Sequence, residues 1–166
     1  MLNRIYGTRH YGKEFRLENG NRPGIGVRVA KLICMGLALF DILLGGLTVL
    51  KPRWMMRILT PGEEPAGEAL LRRSGTTWLF FALVQAWAAM DNENPTALRA
   101  VSVLRLQDVP TDLVWLRSGS GFGWFGKFSL ILAPTFNFAV GCFLAQVARR
   151  IEKKEGAGEQ YGGMAP

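Results

Sequence analysis

The sequence predicts an all-α fold: a bundle of four transmembrane helices with a polar N-terminal arm and a short interfacial helix. Apolar residues make up 49% of the chain although 20% of it is charged, so the charges must be segregated. Residues 32–50 hold one charged residue, and residues 74–90 and 128–148 hold none. Because a helix needs about 20 apolar residues to cross a membrane, these runs predict membrane spans.

A soluble all-α bundle is the alternative to a membrane protein. The helices of such a bundle carry a polar stripe that repeats every 3.6 residues. Residues 78–87 contain a single amide and no charge, and they show no such stripe. The pattern therefore favours the membrane.

The chain ends are polar and basic. Residues 1–28 carry six lysines and arginines against two glutamates and are punctuated by glycines. This arm and the apolar run after it are both too long for a cleaved secretory signal. We therefore divide the chain into an N-terminal arm (residues 1–28), a four-helix membrane domain (29–150) and a charged, glycine-rich tail (151–166), which we expect to fray.

The first span is predicted over residues 29–50, with Asp41 at its centre. A carboxylate at mid-membrane costs about 2.5–3.5 kcal/mol on insertion scales, so it should face protein and find a partner, or be protonated. After it, Arg53 and Arg57 lie on one side of residues 53–59 and Trp54 on the other. This spacing predicts a short interfacial helix, a loop being the alternative, and Trp124 is a further interfacial anchor.

The second span begins near Glu68, with Arg72 and Arg73 at its head, and ends before residue 91. The third span, residues 96–116, contains so many charged residues that a hydropathy scan alone would not detect it. The topology of the chain argues for this span. Both termini are basic and should lie in the cytoplasm, which requires an even number of crossings. Three spans, with residues 96–116 lying on the membrane surface, is the alternative.

Charged residues inside these spans are candidate partners for one another. Asp41 and Arg105 both fall near the midpoints of spans that run parallel, and Arg105, Asp108 and Asp112 share one helix face. One arginine cannot balance three aspartates. The excess negative charge must be compensated by Arg72 or Arg73 from the second span, by water or by a partner's cation, or an aspartate must be neutral.

Two interpretations of this polar set compete. It is a buried ion-pair network that locks the helices together, or a polar cavity for a proton path or for the head group of a quinone or lipid. Asn137 in the fourth span is a candidate hydrogen bonder between helices. Neither interpretation assigns a catalytic residue.

The residue inventory narrows the chemistry further. His10 is the single histidine and lies in the arm, so bis-histidine haem ligation and a metal site built on histidine within the membrane are excluded. Cys34 and Cys142 are isolated thiols, which are typical of apolar helices. Residues 121–126 match G-x-G-x-x-G, but no βαβ unit surrounds them, so we interpret them as a glycine-rich turn. The sequence favours a chain without catalysis of its own.

Four motifs support a resemblance to a known family: Asp41-x-x-x-Gly45-Gly46, Lys51-Pro52-Arg53-Trp54, Arg73-Ser-Gly75 and Arg105-x-x-Asp108-x-x-x-Asp112. With these motifs, residues 29–148 resemble small four-helix DoxX-like membrane proteins. The resemblance implies a four-helix bundle, and some such proteins accompany quinone-linked oxidoreductases. The basic arm lies outside the family pattern and suggests docking to another protein.

The leading hypothesis is a non-catalytic integral membrane subunit or accessory protein of a larger membrane complex. The alternative is a small carrier or membrane enzyme that binds an amphiphilic ligand, or relays protons, at the Asp/Arg cluster. We expect membrane lipids and other membrane-protein subunits, or copies of the chain itself, as partners. The charge at the membrane flanks favours anionic lipid over nucleic acid. The predicted location is a bacterial inner membrane, with both termini cytoplasmic.

Overall fold

The computed structural model describes residues 24–61, 67–118 and 121–162, and these residues are almost entirely helical. In chain order the helices are α1 (Ile25–Leu50), α2 (Pro52–Leu59), α3 (Gly67–Met90), α4 (Pro95–Ser118) and α5 (Trp124–Gly162). No strand occurs in the described ranges. The prediction of an all-α fold is confirmed, and α2 is a helix rather than a loop. The predicted N-terminal arm lies, up to residue 23, outside the described residues.

The long helices form two antiparallel hairpins. Helix α1 packs along α3 and α4 packs along α5, and the hairpins meet where α1 touches α5 and α3 touches α4. Helices α1 and α4 therefore occupy opposite corners of the bundle. A side chain that joins α1 to α4 must cross its centre.

The apolar core lies at the end of the bundle where α3 leads into α4. It contains residues from all four long helices: Ala30, Cys34, Leu37, Ala88, Ala89, Ala97, Leu98, Val101, Val140, Leu144, Val147 and Ala148. Asn94 fixes the turn at this end, because its side-chain oxygen accepts hydrogen bonds from the backbone N–H groups of Thr96 and Ala97. With Pro95 in the first helical position, this is a typical helix start.

Helix α2 closes the opposite end of the bundle. Its residues Met55 and Met56 are buried, while Arg53, Trp54 and Arg57 are exposed. The backbone N–H of Gly123 donates a hydrogen bond to the carbonyl of Leu59 at 3.0 Å, which holds the start of α5 against the end of α2.

Helix α5 runs past the point where the fraying tail was expected to begin. The helix continues to Gly162, and only residues 163–166 of the predicted tail lie outside the described part of the chain. Ile151 packs against the apolar core, and Arg99 at the start of α4 forms an ion pair with Glu152 at 2.5 Å. These contacts hold the first turn of the tail in helical form.

Two of the described helices, α1 and α5 as far as residue 156, are long and apolar enough to cross a membrane. Within the chain, only 33% of the most apolar stretch of α1 and 28% of that of α5 is buried. Most of their apolar surface is therefore not covered by the rest of the bundle, unlike that of a core helix in a soluble protein. Helices α3 and α4 carry more polar residues and do not meet the same criterion.

Candidate functional site

Asp41 lies in the interior because it belongs to the buried face of α1. That face is formed by residues at helical spacing: Ala30, Cys34, Leu37, Asp41, Gly45 and Thr48. Asp41 is only 1% exposed. A buried carboxylate requires hydrogen-bond donors, and two side chains from other helices provide them.

The first donor is Arg105 on α4, which the sequence had paired with Asp41. Its Nη2 donates to Oδ2 of Asp41 at 2.5 Å, and Arg105 is itself 5% exposed. The pair spans the diagonal of the bundle and joins the α1/α3 hairpin to the α4/α5 hairpin.

The second donor, Gln85 on α3, was missed by the sequence analysis. Its Nε2 donates to the same Oδ2 of Asp41 at 2.8 Å, and Gln85 is completely buried. The available signal was a lone amide in the otherwise apolar second half of α3. An uncharged amide does not stand out in an apolar run as a charged residue does.

The other predicted acidic residues lie below this centre along α4. Nη1 of Arg105 donates to Oδ2 of Asp108 at 3.4 Å, and Nδ2 of Asn137 on α5 donates to Oδ2 of Asp112 at 3.3 Å. The Asp108 side chain is 22% exposed, compared with 2% for Asp41. The polar set thus runs from a buried centre to a more accessible end.

Arg72 and Arg73 do not reach this set, contrary to the sequence prediction. Arg72 donates to Glu68 and to the carbonyl of Val49, and both arginines are exposed. Arg72 precedes Gln85 by thirteen residues on the same helix, which separates them by about 20 Å along its axis. The neutral amides of Gln85 and Asn137 contact the aspartates where a second cation was expected.

Two buried polar atoms of the centre have no hydrogen-bond partner among the described residues: Oε1 of Gln85 and Nε of Arg105. They are an acceptor and a donor on side chains that share one oxygen of Asp41. Leaving such groups unpaired costs free energy, so a small polar molecule that forms hydrogen bonds with them would stabilise the centre.

Glycines set the helix spacing around the centre. A methyl group placed on Gly45 of α1 would lie 2.8 Å from the carbonyl oxygen of Gly75 on α3. One placed on Gly141 of α5 would lie 2.7 Å from Leu106, where Ser102 donates to the Gly141 carbonyl at 2.7 Å. Only residues without a side chain permit these close approaches, as at many helix contacts in membranes.

A second cluster surrounds Glu68 at the end of the bundle closed by α2. Arg53 donates to one Glu68 oxygen at 3.1 Å and Arg72 to the other at 2.9 Å. The hydrogen bonds from Arg72 and Arg53 hold the pKa of Glu68 below its usual value. The predicted interfacial anchors are exposed at this end: Arg53, Trp54, Arg57 and Trp124.

No group of three or more His, Cys, Asp or Glu side chains placed to hold a metal ion occurs in the part of the chain that the structure describes. Comparison with known proteins gave no match to any protein-family model, curated protein or solved structure. The resemblance to DoxX-like proteins therefore stays an expectation from the sequence motifs.

Proposed function

We propose that the chain is a multi-pass membrane protein in which α1, α3, α4 and α5 all span the bilayer, and that it acts as a non-catalytic subunit or accessory protein of a larger membrane complex. The distribution of polar and apolar side chains supports this proposal. Charged and amide side chains meet midway along the bundle, and large apolar side chains lie on its outer surface.

The outer surface offers large side chains to the bilayer. On α1, Leu39, Phe40, Ile42 and Leu43 are each 50–59% exposed. Apolar surface of this extent is rare on soluble monomers and marks contact with lipid or with another protein. At the same depth Asp41 points inward, as a charged residue in a membrane helix should.

Helix α4 follows the same rule, which supports counting it as a span. Its residues Val103, Leu113 and Val114 are 51–63% exposed, whereas Arg105 is buried. Part of its low overall hydropathy comes from Ser102 and Arg105, which other helices cover, whereas Gln107 and Thr111 are exposed. A hydropathy scan cannot tell covered polar residues from exposed ones, so it underestimates this helix.

Orientation follows from the distribution of basic residues. With four spans, twelve lysines and arginines lie on the side of the termini and seven on the side of α2. By the positive-inside rule, this bias supports the proposal that both termini lie in the cytoplasm. We propose a bacterial inner membrane as the location. Helix α2 and the Glu68 cluster lie at the opposite surface.

An accessory role is supported by the way the central charges are used. Asp41 is engaged by Arg105 and Gln85, so the centre joins the two hairpins. Helix α5 also continues about 15 Å past Glu152, which forms an ion pair with Arg99 of α4. In this proposal the continuation, which carries the exposed Lys153 and Lys154, contacts a partner at the cytoplasmic surface.

The test begins with the alkaline washing of membranes, in which the chain should stay in the pellet. Extraction in mild detergent and native sizing should then give a particle that contains a second protein in fixed ratio to the 18.4 kDa chain. A variant truncated after Lys154 should insert normally and lose that protein. A chain that purifies alone from gently extracted membranes would contradict the accessory role while leaving the membrane placement intact.

The unpaired Oε1 of Gln85 and Nε of Arg105 favour a second candidate function, the binding of a quinone or lipid head group or the relay of protons at the centre. The resemblance to proteins that accompany quinone-linked enzymes points the same way. Solvent extraction of the purified protein should then release about one quinone per chain. Gln85→Leu should lose the quinone while the protein still assembles, and wild-type protein free of quinone would count against this candidate.

A further inference from the structure

An open cleft of about 410 Å³ lies where the end of α1 meets α2 and the beginning of α3. Four basic side chains and one carboxylate line it: Lys51, Arg53, Arg57, Arg72 and Glu68. Trp54, which is 49% exposed, lines the same cleft. The described lining therefore has a strong excess of positive charge.

Two of the cationic groups are held in fixed positions. Glu68 binds Arg53 with one oxygen and Arg72 with the other. Arg72 also donates from Nη1 to the carbonyl of Val49 at 2.9 Å, which satisfies one of the free carbonyls at the end of α1. Both guanidinium groups are therefore drawn to the cleft by Glu68 before any ligand arrives.

The remaining cations have free hydrogen-bonding capacity. Among the described residues, the side chains of Lys51 and Arg57 make no hydrogen bond or ion pair, and both are exposed. Arg53 has five N–H donors and uses one of them on Glu68. Several unused donors thus surround a cleft whose described lining contains a single carboxylate, and they match a phosphate group.

We propose that this cleft binds the phosphate of an anionic phospholipid. Leu47 and Leu50, which are 39% and 79% exposed, provide an adjoining apolar surface on α1 for the acyl chains. A free phosphate ion would make no use of that surface. The proposal rests on the membrane placement given above, because it requires the end of α1 to lie at the level of the lipid head groups.

Native mass spectrometry of the full chain in detergent tests the proposal with two added phospholipids of identical acyl chains. The protein should retain phosphatidylglycerol and release phosphatidylcholine at the same collision energy. Lys51→Gln with Arg57→Gln should weaken phosphatidylglycerol retention about tenfold. Lys153→Gln with Lys154→Gln removes the same charge at the far end of the molecule and should leave retention unchanged.

Equal retention of the two lipids, or an equal loss in the two double variants, would overturn the proposal, because it would show attraction to net charge alone. A competition experiment with millimolar inorganic phosphate distinguishes a lipid phosphate from a free phosphate ion. Phosphatidylglycerol should survive it, and displacement by inorganic phosphate would assign the cleft to a soluble anion instead. Thermal unfolding of each variant confirms that it is folded.

Failure of the proposal that the chain spans the membrane can be distinguished from failure of the lipid-site proposal. A chain that does not span the membrane would be released by alkaline washing before any lipid is added. A chain that stays in the membrane pellet but shows no preference for phosphatidylglycerol would refute the lipid site alone.

Discussion

Arg105 on α4 donates to Asp41 on α1 across the diagonal of the bundle, with 2.5 Å between Nη2 and Oδ2. Helices α1 and α4 have little other contact, so this pair is the direct link between opposite corners. Gln85 on α3 donates to the same oxygen. One carboxylate oxygen therefore connects three of the four long helices.

Removing one member of the central pair should destabilise the protein strongly. Arg105→Met leaves the buried Asp41 carboxylate without a counter-ion, which costs about 3–5 kcal/mol when a buried pair is broken. Asp41→Leu should cost less, because Arg105 keeps its contact with Asp108. The double variant should recover much of this loss, because both charges are then gone. Thermal unfolding in detergent measures the differences, and additive losses in the double variant would show that the two residues do not act as a pair.

Replacement of Gln85 should depend on the charge introduced. Gln85→Leu removes a donor to a carboxylate and should cost about 1.5–3 kcal/mol. Gln85→Glu should cost more, because it places a second carboxylate against Asp41 in the interior. Leu83→Ala on the outer face of α3 is the control and should have little effect. Equal stabilities of the two Gln85 variants would contradict the observed hydrogen bond.

Neighbouring glycines of α1 should respond in opposite directions to alanine. Gly45→Ala puts a methyl group 2.8 Å from the Gly75 carbonyl and should cost about 1–3 kcal/mol by forcing α1 and α3 apart. At Gly46 nothing lies within 4 Å of the added methyl group. Gly46→Ala should therefore stabilise the protein by about 0.5–1 kcal/mol, since alanine favours helix. Chemical or thermal unfolding of both variants provides the comparison.

Cysteine labelling distinguishes four spans from three. In a background without Cys34 and Cys142, Glu93→Cys reports the turn before α4 and Gly121→Cys the turn after it. Four spans place these positions on opposite sides of the membrane, so a membrane-impermeant maleimide added to intact spheroplasts should label Gly121→Cys alone. Labelling of both or neither in intact cells, with both labelled after lysis, would show that α4 lies on the surface.

The positions of the helices could be predicted well from the sequence. Charge-free runs and the breakers between them located α1, α3 and α5, and the basic termini argued for a further helix over residues 96–116, where α4 lies. The pairing of Asp41 with Arg105 followed from their central positions in parallel spans. These predictions depend on local composition and chain order, which a sequence displays directly.

The composition of the polar centre could not be predicted in full. Gln85 was missed because an uncharged amide gives little signal in an apolar run, and Arg72 or Arg73 was one of the candidates for the positive charge that the three aspartates require. Arg72 instead lies at the end of α3, where Glu68 and the Val49 carbonyl bind it.

The sequence by itself determined that the chain is helical and that its charges are segregated from long apolar runs, because helix length and hydropathy depend on neighbouring residues. Only the tertiary structure decided which charges are neutralised, by which donors, and at which depth. Those outcomes depend on helix rotation and axial offset, which are set by contacts such as Gly45 against Gly75. The sequence therefore predicted that Asp41 needs a partner inside the bundle, and the tertiary structure identified Arg105 and Gln85 as its hydrogen-bond donors.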